Sequence, residues 1–252
     1  MARPGYINVV RGSSEEVAAR EQILALFKHS PIPDDEVLVN LALYLRSTGL
    51  AKILYLNELY QRIVELPGVV MEFGVWWGAN LATFESFRSV YEPYNWTRRV
   101  IGFDTFEGYP AIGPKDGASA YAKVGGYTVS EDYETYLKQV LDAHEADNVM
   151  AHIAKYRLVK GDVTQTVDTY LSDNPETIVA LAYFDLALYE PTRKCLEAIR
   201  PHLVRGSIIA MDELNSHDFP GETIAVKEVF GLDKYKTVRS RFLPDRSYIL
   251  ID

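Results

Sequence analysis

The sequence predicts an α/β fold: a mostly parallel, doubly wound sheet of seven strands, finished by a C-terminal antiparallel hairpin and preceded by an N-terminal helical extension. From Gly68 onward, short β-branched runs alternate with helical stretches, the pattern of a parallel sheet with crossover helices. The run Val69-Val70-Met71-Glu72-Phe73 breaks at Gly74 and turns through Gly78 into a helix, and Val100-Ile101-Gly102-Phe103-Asp104 repeats an apolar strand ending in an acid. Two last apolar stretches, 236 to 242 and 247 to 251, flank Pro244-Asp245-Arg246 as a hairpin does.

Taken in order, residues 1 to 66 read as the helical extension. Ser13 with Glu16 forms a capping-box start for a helix through Phe27, and Ser30-Pro31-Ile32-Pro33 breaks it. A second helix is expected from about Asp34, with Val37, Leu38, Leu41, Ala42 and Leu45 on one face, running out at Gly49. A third runs from Ala51 to Leu66 and ends at Pro67-Gly68. Their apolar stripes are expected to pack on the core or on another subunit, which points to a homo-oligomer. Residues 67 to 252 form the second unit, with strands at 68 to 73, 99 to 103, 156 to 160, 178 to 184 and 205 to 211 before the hairpin. An open parallel sheet closed this way is the layout of the Rossmann-like class I methyltransferase fold.

Residues 109 to 130 differ in kind. Gly113, Pro114, Gly117, Gly125 and Gly126 are interleaved there with Tyr109, Tyr121 and Tyr127, without periodicity. A loop this long after a strand's carboxyl end is expected to be a lid over a substrate.

The bulk numbers narrow the function. A net charge of -9 opposes a phosphate backbone, so nucleic acid is not the expected partner, whereas a small or sugar-like substrate is. The single cysteine, Cys195, forms no internal disulfide, no secretory signal is recognised, and no apolar run approaches the ~20 residues of a membrane span. A cytoplasmic enzyme is expected.

Chemistry gathers at the strand ends. A helix starting at Gly78 points free N–H groups at the crevice, a seat for an anion or carboxylate. Glu72 beside that turn repels a pyrophosphate and suits an amino group, which S-adenosylmethionine carries; the dinucleotide fingerprint is absent. Asp104 is placed to accept ribose hydroxyls, or to cap a turn. Asp162, in Gly161-Asp162-Val163-Thr164, could accept from an adenine amino group while capping the next helix. Asp185, Asp212 and Glu213 end the fourth and fifth strands, and neighbouring parallel strands open onto one crevice. Three carboxylates that close repel one another unless a hard cation such as Mg²⁺ joins them, the alternative being a merely solvated loop.

These motifs resemble the macrocin O-methyltransferase family of S-adenosylmethionine- and Mg²⁺-dependent sugar O-methyltransferases from antibiotic pathways. The resemblance covers roughly residues 68 to 230 and rests on Glu72-Phe73-Gly74-Val75-Trp76-Trp77-Gly78, Phe103-Asp104-Thr105-Phe106-Glu107-Gly108-Tyr109-Pro110, Gly161-Asp162-Val163, Phe184-Asp185-Leu186-Ala187-Leu188-Tyr189-Glu190-Pro191-Thr192 and Met211-Asp212-Glu213. It implies a donor pocket of Glu72, Gly74, Trp76, Gly78, Asp104, Thr105 and Phe106, together with Gly161, Asp162, Val163 and Asp185. It also implies a metal on Asp185, Asp212 and Glu213. Trp77 stands where the family often has arginine, Ala187 replaces a second acid, and Glu213 replaces an aspartate.

Methyl transfer to a sugar hydroxyl needs in-line alignment and a proton acceptor. Asp185, His144 and His217 are the candidate bases. Two other readings stay open from the sequence: a nicotinamide-dependent oxidoreductase on a similar sheet, and a non-catalytic donor-binding protein.

Overall fold

Strand β1 (Val69–Phe73) is buried along its whole length, as a strand covered on both faces must be, and it lies inside the sheet. The computed structural model describes residues 12 to 120 and 122 to 252; the expected lid residue Tyr121 and the first eleven residues of the extension lie outside them. The other strands are β2 (Val100–Asp104), β3 (Tyr156–Lys160), β4 (Val179–Phe184), β5 (Leu203–Met211), β6 (Lys236–Arg239) and β7 (Ser247–Leu250), in the order β3-β2-β1-β4-β5-β7-β6. All neighbours run parallel except β7, which is antiparallel to β5 and β6. The doubly wound sheet with its closing hairpin is therefore as the sequence predicts.

Side chains alternate across the sheet. Val69, Met71 and Phe73 enter one core with helices α6 (Val163–Asp173), α7 (Tyr189–Ile199) and α8 (Gly221–Val229). Val70 enters the other, with helices α3 (Ser47–Ile63), α4 (Ala79–Tyr91) and α5 (Tyr133–Asp147). Glu72 belongs to that second face, where the Asn80 amide donates to its Oε1 at 2.9 Å.

The extension differs in part from expectation. Helix α1 (Ser14–Lys28) starts at the anticipated capping box: Glu16 N–H donates to Ser13 Oγ at 3.3 Å, and Ser13 N–H to Glu16 Oε2 at 2.7 Å. The second helix shrinks to α2 (Asp34–Val37) and a 3₁₀ turn over Leu41–Leu43. Most of a helix's stability comes from packing its apolar face, and among the described residues this stripe stays largely open: Leu38 is 76 % exposed, Leu41 44 % and Leu45 39 %. Helix α3 instead begins at Ser47 and carries Gly49 inside it, because its stripe of Tyr55, Leu56, Leu59, Tyr60 and Ile63 is fully covered by the sheet.

One arrangement positions the site. The ladder continues a residue past each strand: Gly161 N–H reaches Asp104 O at 2.9 Å, Gly74 reaches Phe103 O at 2.9 Å, Asp185 reaches Phe73 O at 2.8 Å, and Asp212 reaches Phe184 O at 3.0 Å. The carboxyl ends of β3, β2, β1, β4 and β5 are thus level. The chain leaves β1 for β2 on one side while β4 lies on the other, the topological switch point at which such sheets bind ligands.

Candidate active site

A crevice of about 270 Å³ opens above those level ends. On the side of β1, β2 and β3 it is lined by Gly74, Trp76, Asp104, Thr105, Gly161 and Asp162, with Val163 beside them. Asp185, Asp212 and Glu213 line the side of β4 and β5. Most of the acids and turns singled out in the sequence are brought to one place.

Asp104 does structural work as well. Its Oδ2 accepts the N–H groups of Val75 and Trp76, both at 2.7 Å, and its Oδ1 accepts that of Phe106 at 2.6 Å. Those bonds hold Trp76 and Phe106 in the left-handed region, at φ 50° and 58°. A carboxylate offers about four acceptor sites, so roughly one remains for a ligand hydroxyl, fewer than a grip on both ribose hydroxyls uses. Asp162 caps α6, its Oδ1 accepting Thr164 N–H at 2.9 Å and Thr164 Oγ1–H at 2.8 Å, while still lining the crevice.

Three residues expected in the donor pocket stand behind its wall. Glu72 is fully buried against Asn80, does not line the crevice, and burial raises its pKa well above the ordinary carboxylate value. Gly78 serves packing: a Cβ there would lie 2.3 Å from Leu137 Cδ1 on α5. Phe106 is buried in the core on the α3 side of the sheet. Gly74 is the glycine the crevice needs, because a Cβ there would meet the Asp185 carbonyl oxygen at 2.2 Å.

On the other side, Asp212 is 3 % exposed, and its Oδ1 accepts from the Tyr183 hydroxyl at 2.7 Å and pairs with Nε of Arg246. Burial first, then the charge of Asp185, pushes the Asp212 pKa up to about 7. Glu213 is pushed up to about 7 by burial and then by Asp212. Burial also raises Asp185, against the pull of Lys52 and Arg246. Among the described residues no group of three or more His, Cys, Asp or Glu is arranged to hold a metal ion. The Tyr183 hydroxyl and the Arg246 guanidinium both meet Oδ1 of Asp212, and Arg246 supplies positive charge to the acids from within the chain. The two candidate histidines lie elsewhere. His144, in the last turn of α5, and His217, in the loop after β5, are exposed, and neither lines the crevice.

The crevice fits an adenosine-type donor: an acid ends β2, the main chain at Gly74 lacks a Cβ, and Phe103, Val163 and Leu186 supply apolar wall. Residues 43 to 229 match the family model described as macrocin-O-methyltransferase (TylF). The chain belongs to the macrocin-O-methyltransferase family.

As a member of that family it is an S-adenosylmethionine-dependent O-methyltransferase, which sets aside the oxidoreductase and non-catalytic readings. Among solved structures it is similar to CalS11, described as calicheamicin methyltransferase, at 45 % identity over 96 % of this chain and 94 % of that one, with a TM-score of 0.93. An apo structure of CalS11, described as TDP-rhamnose 3'-O-methyltransferase, aligns at 44 % identity over 96 % of each chain, with a TM-score of 0.85. The O-methyltransferase NovP, at 20 % identity, 81 % and 80 % coverage and a TM-score of 0.61, shares the fold. Among curated proteins none matches.

Within this macrocin-O-methyltransferase chain the loop 109 to 130 covers the crevice through Tyr109, Pro110 and Tyr127. Tyr109 N–H donates to Gly126 O at 3.0 Å, Gly125 N–H returns a bond to Tyr109 O at 2.9 Å, and the Tyr127 ring lies 6.0 Å from that of Trp76. Buried Asp116 fastens the loop, accepting Gly113 N–H at 2.7 Å and the N–H of Tyr189, the first residue of α7. Trp77, the departure from the family pattern, packs edge-on against Tyr133, ring centroids 4.7 Å apart.

Sequence reasoning missed three residues of this macrocin-O-methyltransferase site. Glu222, buried on α8, accepts Ala187 N–H at 3.1 Å and Glu213 N–H at 2.9 Å, tying the turns after β4 and β5 together. Arg246 was legible only as a turn residue. Lys52 carried a usable signal, a lysine one turn before Tyr55 and Leu56 on the buried stripe of α3.

Proposed function

We propose that this enzyme transfers the methyl group of S-adenosylmethionine to a hydroxyl of a deoxysugar carried on a nucleotide, of the TDP-rhamnose class, in natural-product biosynthesis. The observation that carries the reading is the 44 % identity across 96 % of the chain with a TDP-rhamnose 3'-O-methyltransferase. Asp104, Thr105, Trp76, Gly161, Asp162 and Val163 hold the donor in this reading, which their place on one side of the crevice supports. The acceptor lies toward Asp185, under the lid tyrosines Tyr109 and Tyr127.

The hydroxyl oxygen attacks the methyl carbon in line with the sulfur; the C–S pair returns to sulfur, leaving S-adenosylhomocysteine, and the hydroxyl proton passes to Asp185. Asp185 is the base because, of the candidates His144, His217 and Asp185, it alone lines the crevice. Mg²⁺ assistance is the finer part of the expectation. Three oxygen acids suit that ion chemically, and Asp185, Asp212 and Glu213 would be its ligands, the bound ion lowering the pKa of the attacked hydroxyl.

The same reading includes self-association. Leu24, Phe27, Leu38, Val39 and Leu43 are exposed, and the groove between α1 and the 3₁₀ turn sets Arg20 and Arg46 beside Glu21, a mixed-sign apolar surface suited to a second copy of itself.

The test is incubation of the purified protein with methyl-labelled donor and TDP-rhamnose, reading labelled methyl ether on the sugar. Wild type is expected to methylate, and Asp185→Asn to lose at least about 100-fold in kcat while still binding S-adenosylhomocysteine. Label on no sugar nucleotide, or full activity of Asp185→Asn, overturns the acceptor class or the base respectively.

A further inference from the structure

Helix α3 brings a cation to the crevice. Its buried stripe of Tyr55, Leu56, Leu59 and Ile63 repeats at three and four residues, and one turn back along that stripe stands Lys52. Lys52 lines the crevice together with Gly74, Trp76 and Asp185. It is half-buried and makes no hydrogen bond or ion pair among the described residues. Its charge is nevertheless felt by Glu72, Asp185 and Asp212. An ammonium drawn partly out of water calls for an anion to complete it.

Two anions come near this crevice on the reading above, the donor's carboxylate and the acceptor's diphosphate. A diphosphate at Lys52 would set two further negative charges beside Asp185, Asp212 and Glu213. The amino-acid end of the donor brings its own ammonium with its carboxylate and adds no net charge. Its position follows from the fold: Asp104 and Asp162, at the β2 and β3 ends, mark the adenosine half, and Lys52 stands with Gly74 and Asp185 at the β1 and β4 ends. We propose that Lys52 Nζ binds the α-carboxylate of the methyl donor's methionine moiety, a subsite that rests on the donor reading and adds a residue from outside the sheet to it.

Titration calorimetry tests this with wild type, Lys52→Met and Lys52→Arg against S-adenosylhomocysteine and its decarboxylated analogue, thermal melting serving as the folding control. Lys52→Met is expected to weaken S-adenosylhomocysteine about tenfold or more and the decarboxylated analogue less than about twofold, with Lys52→Arg close to wild type. Equal losses for both ligands, or none, overturn the proposal. So does a Lys52→Met protein that keeps its affinity for S-adenosylhomocysteine and shows a raised KM for the sugar nucleotide, which assigns the lysine to the diphosphate. Wild type failing to bind S-adenosylhomocysteine overturns the donor reading itself, a result distinct from the others.

Discussion

Asp104 spends three of its acceptor sites on the amides of Val75, Trp76 and Phe106 and faces the crevice with what is left. Removing it strands three partly buried N–H groups as well as a ligand contact. Asp104→Ala is therefore expected to cost about 1 to 3 kcal/mol or more in denaturant unfolding and to weaken S-adenosylhomocysteine at least about tenfold. Unchanged stability with lost binding would mean that the amides find other partners. At this scale the sequence was legible wherever an apolar run met an acid, because the strand end that buries the run also lifts the next residue to the crevice. Asp104, Asp162, Asp185, Asp212 and Glu213 all line it for that reason. Strand alternation turns Glu72 from the crevice toward Asn80, which the run of apolar residues around it did not reveal. Glu222 and Arg246 act from segments far along the chain, and no local pattern states what they will touch, whereas Lys52 was signalled by its place on the buried stripe of α3.

Between elements, the interface of α4 and α5 holds a charge network with one member left out. Glu145 pairs with Arg88 at 2.8 Å and with Lys155 at 2.7 Å, while both oxygens of buried Glu85 have no hydrogen-bond partner. Burial, then the charge of Glu145, pushes the Glu85 pKa from an ordinary 4.5 up to about 8. The native chain thus keeps a proton that the unfolded chain gives up, and stability falls as pH rises from about 4.5 to about 8. Glu85→Gln has nothing to ionise, so its melting temperature is expected to gain on wild type from about pH 4.5 to about pH 8 and to level off above that. A constant offset across that range would show Glu85 ionised normally. In the loop over the crevice, Asp116→Ala removes the bond to the start of α7, leaving the Lys115–Glu228 ion pair to α8, and is expected to raise the acceptor KM several-fold and to speed limited proteolysis within residues 109 to 130, with little change in S-adenosylhomocysteine affinity. The loop that lines the crevice could be located from its glycines and tyrosines, but not the role of Asp116 in it. The second helix was over-read because its stripe has the right period but, among the described residues, little surface to meet.

For the molecule as a whole, the sheet is closed on both faces and the helical extension is not. Among the described residues α1, α2 and the 3₁₀ turn contribute no buried side chain, whereas α3 packs directly on the sheet. Multi-angle light scattering is expected to report a dimer or larger species for wild type and a monomer for the double variant Leu38→Glu, Leu43→Glu, with the melting temperature of the sheet core little changed. A wild-type monomer at tens of micromolar would remove the assembly reading and leave the methyl-transfer reading intact. The hairpin carries one last consequence. Strand β7 inserts between β5 and β6, and Arg246 immediately precedes it, so the guanidinium reaches Asp212 once that insertion has taken place. The charge balance of Asp212 and Asp185 therefore depends on the register of the closing strand, so that a slip of β7 between β5 and β6 would reach the acid side of the crevice through Arg246.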